Sequence, residues 1–434
     1  MMFQALPGFR DFYPEDCQIR NHIFKIWRQV ALRFGFSEYD APILEPLELF
    51  TEKSGEEIVQ QLFAFTDRGG RAVSLRPEMT PSLARLVGSR ASALKRPIKW
   101  FNIGEHYRYE RPQKGRLRSF YQLNLDLFDE DQPIADAEVI ALAIEIFRAF
   151  GLTHNDFFVR LSDRTVWTLI LENEGVTNVP GALNVIDKLE RESAASICEK
   201  LGQHMPQDRV EAVFAKIQML CSIKDFDALC AFLKTNEAFT ERLEQWKTLI
   251  KTLECMGLSK FVQVDLGVVR GLAYYTGFVF EFFEKSGKSR ALAGGGRYDE
   301  LVKKLGGPDM PAVGLAIGDV TLKDLLEEKE LLPLYFHTVD LFVIIGEGES
   351  EKTCAYQDIL DLRRAGWSVS YSFTRSFKKQ FKQADDSHAD FALIYGSEEV
   401  SDNKVKIRNL KQRDEQTFSR VGLIENLKAI LSRK

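Results

Sequence analysis

Between residues 16 and 34 the apolar positions Ile19, Ile23, Trp27, Val30 and Ala31 recur at the spacing of one helical face, which predicts an amphipathic helix. Gly35 and Phe36 end it, and a proline-punctuated extended segment follows. Over 63–76 two strand-shaped runs are joined by Asp67-Arg68-Gly69-Gly70, a turn whose glycines can supply positive φ. Helical spacing resumes after Pro81, and Pro97 opens a strand over 100–107. A further strand follows an arginine-dense turn. In it Gln122, Asn124 and Asp126 point to one side at a period of two, while Leu123, Leu125 and Leu127 point to the other. That alternation assigns the strand to a core sheet with polar groups on its open face.

A long helix is predicted over 134–150. From 165 to 256 the pattern is mostly helical, with turns at Gly175, Pro180 and Pro206, and little in it looks catalytic. Strand character returns at 261–269 and 274–283, ahead of a glycine cluster at 294–296. Strands, a helical interruption and strands again imply one α+β domain, 1–164 and 257–332, carrying a helical insertion, 165–256. A Glu/Lys/Leu-rich stretch over 323–330 then runs into Leu331-Leu332-Pro333, where the character changes. Strands over 339–345, 368–373 and 391–395 alternate with helices over 351–365 and 377–384. Such βαβ units make a small sheet with helices packed on it, so 333–434 is expected to be a separate α/β domain.

Composition narrows the partners. The 58 Lys and Arg against 63 Asp and Glu give a formal charge of −5, so any nucleic-acid surface must be a local patch. Six cysteines, at 17, 198, 221, 230, 255 and 354, show no CxxC or Cys/His spacing, which favours reduced thiols over disulfides or zinc. The six histidines are too dispersed for a metal site, and no Ser/His/Asp or Cys/His nucleophile arrangement stands out. With no run of eighteen apolar residues, a soluble cytoplasmic protein without a membrane partner is expected.

The local patch exists. Five of the eleven residues from Arg108 to Arg118 are basic and one is acidic, a density of guanidinium groups that needs an anionic partner. Rigid bidentate donors suit phosphate oxygens. Three more segments carry chemistry: Leu75-Arg76-Pro77-Glu78-Met79-Thr80, Val269-Arg270-Gly271-Leu272-Ala273-Tyr274-Tyr275-Thr276-Gly277 and Ala293-Gly294-Gly295-Gly296-Arg297-Tyr298-Asp299. The pairing of Arg-Gly-Leu-x-Tyr-Tyr with Gly-Gly-Gly-Arg-Tyr-Asp resembles the signature of the histidyl-tRNA synthetases, a class II aminoacyl-tRNA synthetase family, and the resemblance extends over essentially the whole chain. It implies a class II catalytic domain built on an antiparallel six-stranded sheet, a helical insertion, and a C-terminal α/β anticodon-binding domain. It implies also that ATP, accompanied by Mg2+, activates L-histidine to histidyl-adenylate with release of diphosphate, and that histidine then passes to the 3′ end of tRNA(His). Residues 35–42 resemble the class's first motif, which builds a homodimer interface in relatives.

The resemblance carries roles onto individual residues. Arg108 matches the second class motif and Arg270 the family-specific one, and both would approach the α-phosphate. Arg116 would meet the β- and γ-phosphates, and Gly318 would border ATP. Glu78, Thr80 and Gln122 match the acceptors for the amino acid's ammonium group, while Asp126 and the Tyr275 hydroxyl would engage the two imidazole nitrogens. Tyr274 is expected to pack away from that pocket, and Tyr298 has no assigned part. The glycines at 294–296 would let backbone approach the ligand closely. Arg111 and Gln113 would contact the tRNA acceptor end. In the C-terminal domain Arg375, Lys378, Lys379 and Lys382, interleaved with Phe377 and Phe381, form a basic face suited to the anticodon.

One departure from the pattern matters. The third class motif usually ends in Glu-Arg, and the arginine that stacks on adenine and faces the γ-phosphate is here Thr321. Other cations must then hold ATP, with Arg116 the first candidate and Arg297 a weaker one. Thr321 is also the feature that favours a rival, a regulatory subunit of histidine biosynthesis that binds histidine without charging tRNA. A threonyl- or prolyl-type synthetase would share the C-terminal domain but leaves 270–277 unexplained.

Overall fold

The computed structural model describes residues 3–51, 59–189, 192–234, 236–269, 274–287, 290–333, 339–374 and 376–431. Contacts divide the chain into two compact units, Met1–Leu332 and Pro333–Lys434. The strands of the first unit are β1 (Ser37–Glu38), β2 (Leu44–Pro46), β3 (Phe63–Thr66), β4 (Ala72–Leu75), β5 (Ile98–Tyr107), β6 (Ser119–Phe128), β7 (Phe157–Asp163), β8 (Val262–Val264), β9 (Phe278–Glu284), β10 (Ala293–Arg297) and β11 (Ala312–Gly318). Eight of them form one sheet in the order β1-β5-β6-β11-β10-β9-β7-β8. From β5 to β7 every neighbouring pair is antiparallel, and β1 and β8 join the two edges in parallel. The six-stranded antiparallel sheet implied by the resemblance is therefore present, widened by one short strand on each side.

The alternation along β6 sorts as its residues demand. Leu123, Leu125 and Leu127 are buried in the main core with Ala137, Ile140, Ile144 and Phe147 of the helix Pro133–Ala149. That helix is apolar almost all round because the helices Pro14–Arg33 and Thr240–Cys255 pack on it as well. Each large side chain fully buried there, such as Trp27 or Phe147, contributes about 1.5–3 kcal/mol of transfer free energy. The opposite face of β6 remains available for a site.

The glycine cluster is strand. Gly295 lies in β10, paired with Phe280 on one side and Leu315 on the other, and a β-carbon on it would stand 2.2 Å from the Gly314 carbonyl oxygen. Close approach within the sheet explains Gly295 and Gly296, so the expected approach to a ligand is left to Gly294. The apolar run over 261–269 also differs from expectation. Only Val262–Val264 pairs, with β7, and Asp265 turns the chain out of the sheet by accepting from the Gly267 N–H.

The described residues of 164–256 fold as helices joined by turns, and Asp163, the last residue of β7, ties them down. Its carboxylate accepts from the Thr165 and Val166 N–H groups at the start of the helix Arg164–Asn173. The same group receives Arg242 Nε at 2.5 Å and Trp246 Nε1 at 2.7 Å from the helix Thr240–Cys255.

The second unit contains β12 (Leu341–Ile345), β13 (Val369–Tyr371), β14 (Phe391–Tyr395), β15 (Lys404–Asn409) and β16 (Glu415–Ser419), ordered β13-β12-β14-β15-β16. The first three are parallel, and β15 and β16 add antiparallel. Both faces of β12 and β14 are covered, which accounts for their unbroken apolar sequences. The β15–β16 hairpin and the helix Leu423–Leu431 lie beyond the elements expected from the sequence; β15 buries only Val405 and Ile407, with Lys404 and Lys406 alternating with them.

Candidate functional site

The open face of the large sheet carries a cavity of about 670 Å3, within the range that takes a nucleotide and a small amino acid together. One wall is the β5–β6 hairpin. Arg108 continues the ladder, its N–H donating to the Arg118 carbonyl at 2.9 Å, and the tip turns at Gly115, whose φ of 72° suits glycine. The Arg108 side chain donates from Nε to the Pro77 carbonyl at 3.0 Å and lies over the Phe120 ring, 5.3 Å from its centroid. Arg116 Nε pairs with Glu110 at 2.7 Å. Both arginines line the cavity. Behind them His106 is buried, and burial with Arg76 and Arg108 nearby holds its imidazole well below the usual range.

The floor is polar. Gln122 and Asn124 of β6 face the cavity together with Glu78 and Thr80, which precede and begin the helix Thr80–Arg90. Tyr274 and Tyr275 precede β9, and both line the cavity; the expectation that Tyr274 packs away from it is corrected, because neither residue is in a strand that would alternate them. The Tyr274 hydroxyl donates to Glu78 at 2.7 Å, and burial beside that carboxylate pushes the phenol well above its ordinary range.

Asp126 stands one layer behind the wall. It does not border the cavity itself; Tyr298 and Gly314 do. The Tyr298 hydroxyl donates to Asp126 Oδ1, leaving Oδ2 buried without a hydrogen-bond partner among the described residues. Gly314 makes room for the carboxylate, since a β-carbon there would fall 2.0 Å from Oδ1. Burial pushes the Asp126 carboxyl up to about 7, against the pull of the Tyr298 hydroxyl. Tyr298, to which its motif gives no role, is thus a wall residue. Tyr274 and Tyr298 could not be identified from spacing, because what recruits them is a carboxylate far away in the chain.

Gly318 borders the cavity as the residue before the helix Asp319–Glu328, and Thr321 lines it one turn further on. Asp319 is buried, accepting from Arg10 Nη2 at 2.8 Å and from the Tyr121 N–H at 2.9 Å. Arg297 does not reach the cavity: its guanidinium is buried against Asp136 and donates to the Glu130 and Gln132 carbonyls, so it is withdrawn as a phosphate cation. Arg111 and Gln113 sit exposed on the hairpin turn, where the backbones of Gln113 and Arg116 exchange hydrogen bonds. Asp187, from the helical insertion, also lines the cavity and was not anticipated. Arg270, with 271–273, lies outside the described residues, as does Arg375.

In the second unit Lys378, Lys379 and Lys382 are exposed on the helix Phe377–Asp386. Phe377 and Phe381 instead pack inward against the cluster of Phe342, Ile344 and Ile394, which corrects their expected interleaving with the basic face. Among the described residues no helix is long and apolar enough to cross a membrane.

Comparison with known proteins agrees with this architecture. Residues 8–322 match the histidyl-tRNA synthetase family model and 341–430 the anticodon-binding domain model. The chain is 52% identical to a histidine–tRNA ligase of Opitutus terrae, covering 96% of each chain, and 38% identical to one of Halobacterium salinarum, again over 96% of each. The crystal structure of histidyl-tRNA synthetase from Nostoc sp. PCC 7120 superposes with a TM-score of 0.78 at 25% identity, covering 99% of both chains. With a synthetase model spanning most of its length and relatives alike from end to end, the chain belongs to the histidyl-tRNA synthetase family.

Proposed function

We propose that this chain activates L-histidine with ATP and transfers it to tRNA(His), working as a homodimer, and that the cavity on the large sheet is where activation occurs. The observation that carries the reading is one cavity lined by Arg108 and Arg116 on one wall and by Glu78, Thr80, Gln122 and Tyr275 on another. In the first step a histidine carboxylate oxygen attacks the α-phosphorus, and the bond to the bridging oxygen breaks to release diphosphate. Two anions approach, so fixed guanidinium groups lower the barrier. Arg108 takes the α-phosphate, with Arg270 from the amino-acid side, and Arg116 takes the outer phosphates. Mg2+ enters with ATP as part of that substrate. It prefers hard oxygen donors, of which Glu281 on the cavity wall would be one beside the phosphate oxygens, and when bound it would neutralise polyphosphate charge.

Histidine is recognised at both ends. Glu78, Thr80 and Gln122 accept from its ammonium group, with Tyr274 holding Glu78 in place. Asp126 Oδ2, a buried acceptor with no donor among the described residues, stands one layer behind the wall and takes the ring N–H through a bridging water, and the Tyr275 hydroxyl meets the other nitrogen. An analogue lacking those bonds leaves buried groups unpaired, which discriminates strongly without editing. In the second step the tRNA 3′-terminal hydroxyl attacks the acyl carbon and AMP leaves. Arg111 and Gln113 on the exposed turn contact the acceptor end, and the lysines of Phe377–Asp386 meet the anticodon arm.

Histidine-dependent exchange of pyrophosphate into ATP tests the reading. Exchange supports it; a folded protein that binds histidine without exchange would instead be the regulatory subunit that Thr321 favours.

A further inference from the structure

Where the class's third motif carries an arginine, Thr321 forms part of the cavity wall. The hairpin tip reaches it. A β-carbon on Gly115 would stand 3.3 Å from Thr321 Cγ2 and 3.6 Å from Arg290 Cδ, so the Arg290 stem and the Thr321 methyl flank one point. Arg290 precedes β10 and Thr321 follows β11, and only the sheet brings them together. Both line the cavity.

Charge makes the position count. The lining holds five carboxylates, on Glu78, Glu110, Asp187, Glu281 and Asp319, whereas its cations among the described residues are Arg108, Arg116 and Arg290. Arg297 is committed to Asp136 and adds no positive charge to this wall. A polyanion entering this wall needs a further guanidinium near the hairpin tip. We propose that Arg290 supplies it: Arg290 binds the outer phosphates of ATP from the strand side, in place of the arginine that Thr321 lacks. The inference rests on the reading of the cavity as the activation site, and it adds an ATP-binding residue that the class motifs do not mark.

The test is Arg290→Ala, compared with Arg290→Lys and with Arg290→Ala carrying Thr321→Arg. In pyrophosphate exchange, Arg290→Ala raises the KM for ATP about tenfold or more while the KM for histidine stays within about twofold, as loss of one charge-assisted bidentate contact requires. Arg290→Lys retains part of the affinity, and Thr321→Arg restores most of it. Calorimetric titration reads the same contact without turnover: Arg290→Ala weakens ATP and leaves AMP almost unaffected. Unchanged ATP binding, equal losses for ATP and AMP, or no recovery with Thr321→Arg in a variant of wild-type melting temperature would overturn the proposal. A wild-type protein that binds ATP but exchanges no pyrophosphate would sink the activation reading, and the ATP and AMP titrations would still judge Arg290.

Discussion

Replacing Asp126 by Asn should stabilise the protein at alkaline pH while damaging histidine recognition. Asp126 is buried, and its carboxyl is pushed from 3.8 to about 7 by loss of water. Below about pH 4 it is protonated in both the folded and unfolded chain and costs nothing. As pH rises from 4 to 7 the unfolded chain releases the proton and the folded one keeps it, so folding becomes steadily less favourable; above 7 the full cost applies. A shift of that size is worth about 4 kcal/mol at roughly 1.4 kcal/mol per unit. Asn has nearly the same shape, still accepts from Tyr298 through its carbonyl, and does not titrate. Urea melts followed by tryptophan fluorescence, with Trp27, Trp167 and Trp246 all buried in the first unit, should show the variant gaining on wild type by roughly 3 kcal/mol between pH 5 and pH 8. Histidine-dependent exchange should fall in the same variant, because an amide NH2 at the Oδ2 position can no longer accept from the water that bridges to the ring N–H. Stability curves that run parallel across this pH range would refute the assignment of a buried titrating carboxyl.

Arg270→Ala should depress adenylate formation by about 100-fold or more with little change in histidine affinity, since its charge acts on the phosphate; equal losses in exchange rate and in histidine binding would argue for a structural role. Tyr274→Phe removes the hydroxyl that donates to Glu78, and steady-state kinetics should show the KM for histidine rising about tenfold with the KM for ATP unchanged. Gly295→Ala drives a methyl group against the Gly314 carbonyl oxygen at the centre of the sheet, and denaturant unfolding should register a loss of about 1–3 kcal/mol or more.

Much of the fold is written locally. The helix Pro14–Arg33, the β3–β4 hairpin, the two strands around the arginine-rich turn and the parallel strands β12, β13 and β14 follow from apolar periodicity and from Gly and Pro punctuation. Motifs likewise named Arg108, Arg116, Glu78, Thr80, Gln122 and Tyr275, and all of these line one cavity. The apolar pattern overruns the paired strand at Asp265–Val269, because pairing partners and not composition end a strand.

Local sequence pattern dictates the set of elements and the kind of chemistry: a period-two strand with polar groups on one face, and guanidiniums clustered in a turn. Tertiary structure alone decided which groups meet. It placed Tyr298 on Asp126, Tyr274 on Glu78 and Arg290 beside Thr321, and it buried Arg297 against Asp136. The reason is physical: periodicity reports which face of an element is covered, whereas burial of a charge or the pairing of a hydroxyl depends on neighbours brought in from distant parts of the chain.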